Sequence, residues 1–268
     1  LQVDHGEVLV ELIVARCRSD ARGQCAACAF EIPRLDQRVS GQVATRRLRI
    51  VKYRGSAHGT NEYPFLLDKC GFTVVPITAV DLDYHVSDEV ISTGVPQLDE
   101  MLGGQGTYRG STILVSGTAG CGKTSLCAHF VDAACRRGER CFYISFEESP
   151  EQLIRNMRSI GIDLQQWVAK GLLRLKATRP PTHGLDMHQS MVTRVLDEFE
   201  PRVVVLDPIS SLKSAGNLED VHITLLCLID LFKSRQISCM FASLTEAGLP
   251  QKEVVGVSSL IDTWLSLR

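Results

Sequence analysis

Gly117-Thr118-Ala119-Gly120-Cys121-Gly122-Lys123-Thr124 decides the reading of this chain. The octapeptide satisfies G-x-x-x-x-G-K-[ST] and follows directly on the apolar run Ile113-Leu114-Val115. A glycine-rich turn between a buried strand and a helix start directs successive backbone N–H groups at an anion. It puts Lys123 beside the β- and γ-phosphates of a nucleoside triphosphate and offers the Thr124 hydroxyl to a magnesium ion, with Ser125 closing the phosphate-binding stretch. The alternative is a glycine turn with no ligand, but the strand before it and the helix after it are what the chemistry requires.

Outward from the loop, residues 113–268 alternate short buried runs with longer amphipathic ones, the pattern of an α/β fold whose mostly parallel sheet carries helices on both faces. The spacing predicts a helix over residues 122–137 with Leu126, Phe130, Val131 and Ala134 on one face and Gly138 as its left-handed stop. A strand over 141–146 follows. Ser149, Pro150 and Gln152 then form a helix start with a capping box. Further strands are expected at 172–176, 203–206, 238–244 and 262–267, and helices at 185–199 and 219–235. Parallel strands end on one shared edge, where open α/β sheets bind ligands.

Two of those strand ends carry acids. Asp207 closes the run Val203-Val204-Val205-Leu206, the form in which a strand-tip aspartate holds magnesium, with an ordinary strand-end aspartate as the alternative. Glu147 and Glu148 follow the strand expected beside the loop, where one carboxylate can orient or deprotonate an attacking water or hydroxyl. Adjacent residues on an extended tip diverge, so Glu147 is read as the base and Glu148 as its helper or as a partner in the magnesium network. Their other reading is helix-start electrostatics at Pro150.

A net charge of −2 over 268 residues demands neither nucleic acid nor an anionic membrane as partner. Five basic residues cluster between Arg46 and Arg54, a local feature of the first sixty residues. Of ten cysteines, Cys121 lies in the loop, and Cys127, Cys135, Cys141, Cys227 and Cys239 fall in expected core elements as small hydrophobes. Cys25 and Cys28 form a lone C-x-x-C with Cys17 upstream, short of a second pair for zinc. No secretory signal or membrane-length apolar stretch is apparent, so a cytoplasmic location is expected. Upstream, residues 46–53, 65–67 and 72–75 read as strands, 81–90 as a polar linker, and 1–34 stay unassigned.

Ser92-Thr93-Gly94-Val95, Leu98-Asp99, Leu102-Gly103-Gly104, the phosphate loop, Phe146-Glu147-Glu148-Ser149, Arg155-Asn156, Asp207-Pro208-Ile209-Ser210 and Ile261-Asp262-Thr263 together resemble the KaiC family of RecA-like ATPases. The resemblance covers about residues 44–268. It implies a RecA-like P-loop NTPase fold over 91–268, matching the family's second domain, with ATP and Mg2+ as ligands. Residues 35–80 would be a small β remnant of the end of a first domain, and 81–90 the linker. It also implies a homo-oligomer, a hexamer in the family, with ATP between subunits, slow hydrolysis, and clock or signalling partners.

Family members phosphorylate themselves on two neighbouring hydroxyl residues, which correspond here to Ser258 and Ser259. These are Ser-Ser where the clock protein has Ser-Thr, and Glu253 and Val254 replace neighbours that assist there. Lys52 and Arg54, in Lys52-Tyr53-Arg54-Gly55-Ser56, resemble the pair that reaches the γ-phosphate held by the adjacent subunit. The first domain's own phosphate loop is missing, and the segment expected after residue 268 is absent, so the second domain reads as C-terminally truncated. One arrangement this allows is that residues 46–75 pack on the 91–268 core as a permuted replacement.

Two other classes stay open. A RecA- or RadA-like DNA-dependent ATPase shares the fold, but the candidate DNA loop, residues 210–221, offers Lys213 against Glu219 and Asp220. A non-catalytic ATP-binding remnant is the other.

Overall fold

The computed structural model describes residues 29–31, 47–52, 62–68, 71–74, 86–180, 184–245 and 258–268. The chain divides into two compact units, 1–36 with 47–63 and 37–46 with 64–268.

In the smaller unit, β1 (Ala29–Glu31) runs antiparallel to β2 (Arg47–Lys52), Ala29 facing Lys52. β3 (Glu62–Asp68) runs antiparallel to β4 (Gly71–Val74), with Asp68 facing Gly71. Then come β5 (Val90–Ile91), α1 (Pro96–Met101), β6 (Thr107–Tyr108), β7 (Thr112–Gly117), α2 (Lys123–Arg136), β8 (Cys141–Ser145), α3 (Pro150–Ser159), α4 (Gln165–Ala169) and β9 (Leu173–Ala177). The chain continues with α5 (Leu185–Phe199), β10 (Val203–Asp207), a 3-10 helix (Ile209–Ser214), α6 (Leu218–Ser234), β11 (Ser238–Leu244), a 3-10 turn (Ser258–Leu260) and β12 (Thr263–Leu267).

Six strands form one sheet in the order β12-β7-β11-β10-β8-β9, every pair parallel. This is the α/β fold expected of a RecA-like ATPase domain. The central strands are apolar at nearly every position because both faces are covered. On one face Ile113, Val115, Tyr143, Val205 and Met240 pack with Phe130 and Val131 of α2. On the other, Leu114, Phe142, Val204, Leu206 and Phe241 pack with Val192 and Leu196 of α5 and Leu225 and Phe232 of α6.

Helix boundaries follow local chemistry. Gly138, at φ +83°, stops α2, and the Glu139 N–H donates to Ala134 O at 3.1 Å. Ser149 and Gln152 form the full reciprocal capping box at the start of α3.

The segment before the sheet explains residues that have no catalytic logic of their own. Asp99 of α1 is buried and accepts from the Thr93 N–H at 2.8 Å and the Thr93 hydroxyl at 2.6 Å, while Ser92 bonds its second oxygen. Gly94 sits at φ +85°, and a Cβ there would lie 2.3 Å from His129 O of α2. Only glycine lets this turn pack so closely on the helix. Glu89 and Val90, read as the end of a linker, are tied down: Val90 pairs with Tyr108, and Glu89 is ion-paired with buried Arg109.

Candidate functional site

The carboxyl edge of the sheet gathers the loop after β7, the Glu147-Glu148 pair after β8, and Asp207 at the end of β10. β11 lies between β7 and β10, and α2 packs over β10 and β11.

Gly120 and Gly122 take φ values of +79° and +95°, and a Cβ on either would meet open space. Backbone conformation, not crowding, is therefore what requires glycine in this loop. The N-terminus of α2 has no side-chain cap and no acid in its first turn. Its amides are left available to an anion, and the helix dipole favours one. Lys123 is only 8% exposed, and its Nζ donates to Gly117 O at 3.0 Å and Thr118 O at 2.6 Å, with Cys121 Sγ at 3.6 Å. The ammonium thus braces the loop from within.

Asp207, 7% exposed, is the hub of the acidic side. Its Oδ2 accepts from the fully buried Tyr143 hydroxyl at 2.6 Å. Burial raises the Asp207 carboxyl above the usual carboxylate range; the bond from Tyr143 and the Thr124 hydroxyl oppose this, Glu147 adds to it, and Lys123 counters it. The Tyr143 phenol is pushed well up by its own burial and by the Asp207 charge. The Thr124 hydroxyl and the Asp207 carboxylate are hard oxygen donors of the kind that fit magnesium, which needs few protein ligands beside phosphates and water. Among the described residues no group of three or more His, Cys, Asp or Glu is placed to hold a metal by itself.

Glu147 is exposed, and its Oε1 accepts from Ser211 Oγ at 2.8 Å. Glu148 is half-buried, accepting from Asn156 Nδ2 of α3 at 3.3 Å, while its N–H donates to Ser145 Oγ at 3.0 Å. The two carboxylates therefore diverge. Beside them lies a cavity of about 260 Å³ between the tips of β8 and β9, lined in part by Glu147, Glu148, Thr178 and Arg179.

Lys123 and Thr124 at the start of α2, Glu147 after β8 and Asp207 at the end of β10 lie along the carboxyl edge of the sheet. Ser259 is exposed in the 3-10 turn that also contains Ser258. Lys52 ends β2, whereas Arg54 and the Cys17, Cys25 and Cys28 group lie outside the described residues. Cys127, Cys135, Cys141, Cys227 and Cys239 are buried free thiols, and Cys121 is partly exposed.

Sequence reasoning missed Tyr143 and Ser211. A hydroxyl-bearing aromatic in an otherwise apolar buried strand needs a partner, and that signal pointed to Tyr143. Tyr143→Phe is expected to destabilise the fold by about 1–3 kcal/mol, because a bond to a buried carboxylate is lost. An unchanged urea midpoint would show that the phenol contributes nothing.

A parallel sheet with a glycine loop, a loop lysine and a strand-tip aspartate on its carboxyl edge defines a P-loop ATPase domain. Residues 91–268 match the family model described as "ATPase: KaiC", and the chain belongs to that family. It is 49% identical to "Circadian clock protein KaiC2" of Synechocystis sp. over 238 residues, 88% of this chain and 42% of that protein. It is 36% identical to "Circadian clock protein KaiC3" of the same organism, covering 83% of this chain and 45% of that protein. "Circadian clock oscillator protein KaiC" of Picosynechococcus sp. is 34% identical, with coverage of 86% and 45%. The chain spans under half the length of each of these relatives.

Proposed function

We propose that this chain binds and hydrolyses ATP and acts as a clock-type or signalling protein of the KaiC kind. The observation that carries this is the uncapped glycine loop at the start of α2, on the same sheet edge as Asp207 at the end of β10. The loop amides from Gly117 to Ser125 and Lys123 hold the triphosphate, and Thr124 and Asp207 hold a magnesium ion. When bound there, the ion would supply neutralisation of phosphate charge. Glu147 accepts the proton of an attacking oxygen; a bond forms from that oxygen to the γ-phosphorus, and the bond to the ADP oxygen breaks.

In this reading residues 91–268 are the ATPase domain, 35–80 belong to the end of a preceding domain, and 81–90 link them. Lys52 and Arg54 act on the nucleotide of a neighbouring copy in a hexamer, placed in the cytoplasm, whose state is read by clock or signalling partners. Serine autophosphorylation, at Ser258 or Ser259, is the second activity, supported by the exposure of Ser259 in the 3-10 turn. A DNA-dependent ATPase is disfavoured: residues 209–214 form a 3-10 helix seated on buried Ile209 and Leu212, and α6 then opens with Glu219 and Asp220 in its first turn. Among the described residues no helix is long and apolar enough to cross a membrane.

Incubation with magnesium and γ-labelled ATP tests this, reading free phosphate and protein-bound label together. The expected result is phosphate release with label on Ser258 or Ser259. Release without protein label keeps the ATPase and removes the autokinase; nucleotide binding without release makes the chain a non-catalytic binder. Stimulation by single-stranded DNA would move it to the recombinase class.

A further inference from the structure

Glu147 reaches into open water from the end of β8, and an exposed glutamate samples several rotamers. A base works only from the rotamers that face the attacking oxygen. The local structure restricts them.

The 3-10 helix after Asp207 repeats every three residues, so Ile209 and Leu212 share one face; they are 0% and 1% exposed and anchor it in the core. Ser210 and Ser211 lie between those anchors and serve the carboxyl edge. Ser210 Oγ accepts from the Leu244 N–H at the tip of β11, at 3.2 Å. The Ser211 N–H donates to Pro208 O at 3.2 Å, and its hydroxyl donates to Glu147 Oε1 at 2.8 Å. The backbone makes a parallel tie, because the Phe146 N–H donates to Asp207 O at 2.8 Å. Main chain and side chain at the tip of β8 are both fastened to the segment that carries Asp207.

We propose that Ser211 is the positioning residue for Glu147, its hydroxyl holding Oε1 so that Oε2 faces the attacking water or hydroxyl. The proposal rests on Glu147 being the base. It couples the base to the 3-10 helix, so that base and magnesium ligand move as one piece.

The test uses the full chain and four variants: Ser211→Ala, Ser211→Thr, Glu147→Gln, and Glu147→Gln with Ser211→Ala. ATP turnover is measured in steady state and single turnover, and magnesium-ATP affinity separately by equilibrium binding of a fluorescent analogue. Ser211→Ala is expected to lower kcat about tenfold with KM and affinity held within about twofold, the signature of an interaction used in the transition state. Ser211→Thr keeps the hydroxyl and restores most of the rate. In the Glu147→Gln background, Ser211→Ala adds no further loss.

Undiminished kcat in Ser211→Ala overturns the proposal, as does an equal loss with and without the Glu147 carboxylate. Affinity lost in both Ser211 variants marks a structural role and overturns it too. Full turnover in Glu147→Gln instead removes the assignment of the base, and a parent chain without turnover removes the ATPase reading; either takes this inference with it.

Discussion

Lys123→Ala is expected to reduce ATP turnover by about two to three orders of magnitude and to weaken nucleotide binding in parallel, because it removes a preorganised charge from a water-poor site. The ammonium is 8% exposed and held 3.0 Å from Gly117 O and 2.6 Å from Thr118 O. Its desolvation is therefore already met by folding, and it stands at the loop before any phosphate arrives. Alanine removes both the cation and the brace on the loop carbonyls. The helix itself survives, since Phe130, Val131 and Ala134 of α2 remain fully buried against the sheet. Arginine does not rescue the variant, because a planar fork does not replace a compact ammonium inside a tight loop. Isothermal titration with magnesium-ATP and a phosphate-release assay check the pair of effects. Normal turnover in a cooperatively folded Lys123→Ala protein would sink the loop as the triphosphate site.

What was legible in the sequence was local. β7 and β10 read directly as apolar runs, the Ser149 box and the Gly138 stop depend on residues a few positions apart, and those elements stand where expected, with ends shifted by a residue or so. The long-range contacts were not legible. Tyr143 and Asp207 are 64 residues apart, and so are Glu147 and Ser211; each pair meets because β8 and β10 are neighbours in register, with Ser145 opposite Asp207. Strand order is a property of the whole sheet, so no window of sequence reveals it. α1 was missed for a different reason. At six residues it is too short to show periodicity, and its identity lies in Asp99 closing on Ser92 and Thr93. Those residues carried the family resemblance, and their purpose is to seat the turn on α2.

The two glutamates offer the sharpest separation of chemistry from structure. Glu147→Gln is expected to lower turnover by about 10²–10⁴, the usual range for loss of a general base, while magnesium-ATP affinity stays near that of the parent. Glutamine keeps the shape and can still accept from Ser211, so the loss reports the missing proton acceptor and not a displaced side chain. Affinity is spared because Glu147 is exposed and lies outside the phosphate loop. Glu148→Gln should behave otherwise. Its carboxylate takes a bond from Asn156 and its own N–H is fixed to Ser145, so it secures the start of α3 beside the capping box. A modest loss of stability, about 0.5–1 kcal/mol from the weakened bond and the lost helix-dipole interaction, is expected with turnover largely kept. Comparing single-turnover rates with urea midpoints for the two variants distinguishes them. The reverse pattern, with Glu148→Gln inactive while Glu147→Gln turns over normally, would transfer the base to Glu148 and leave Glu147 as a surface charge at a helix start.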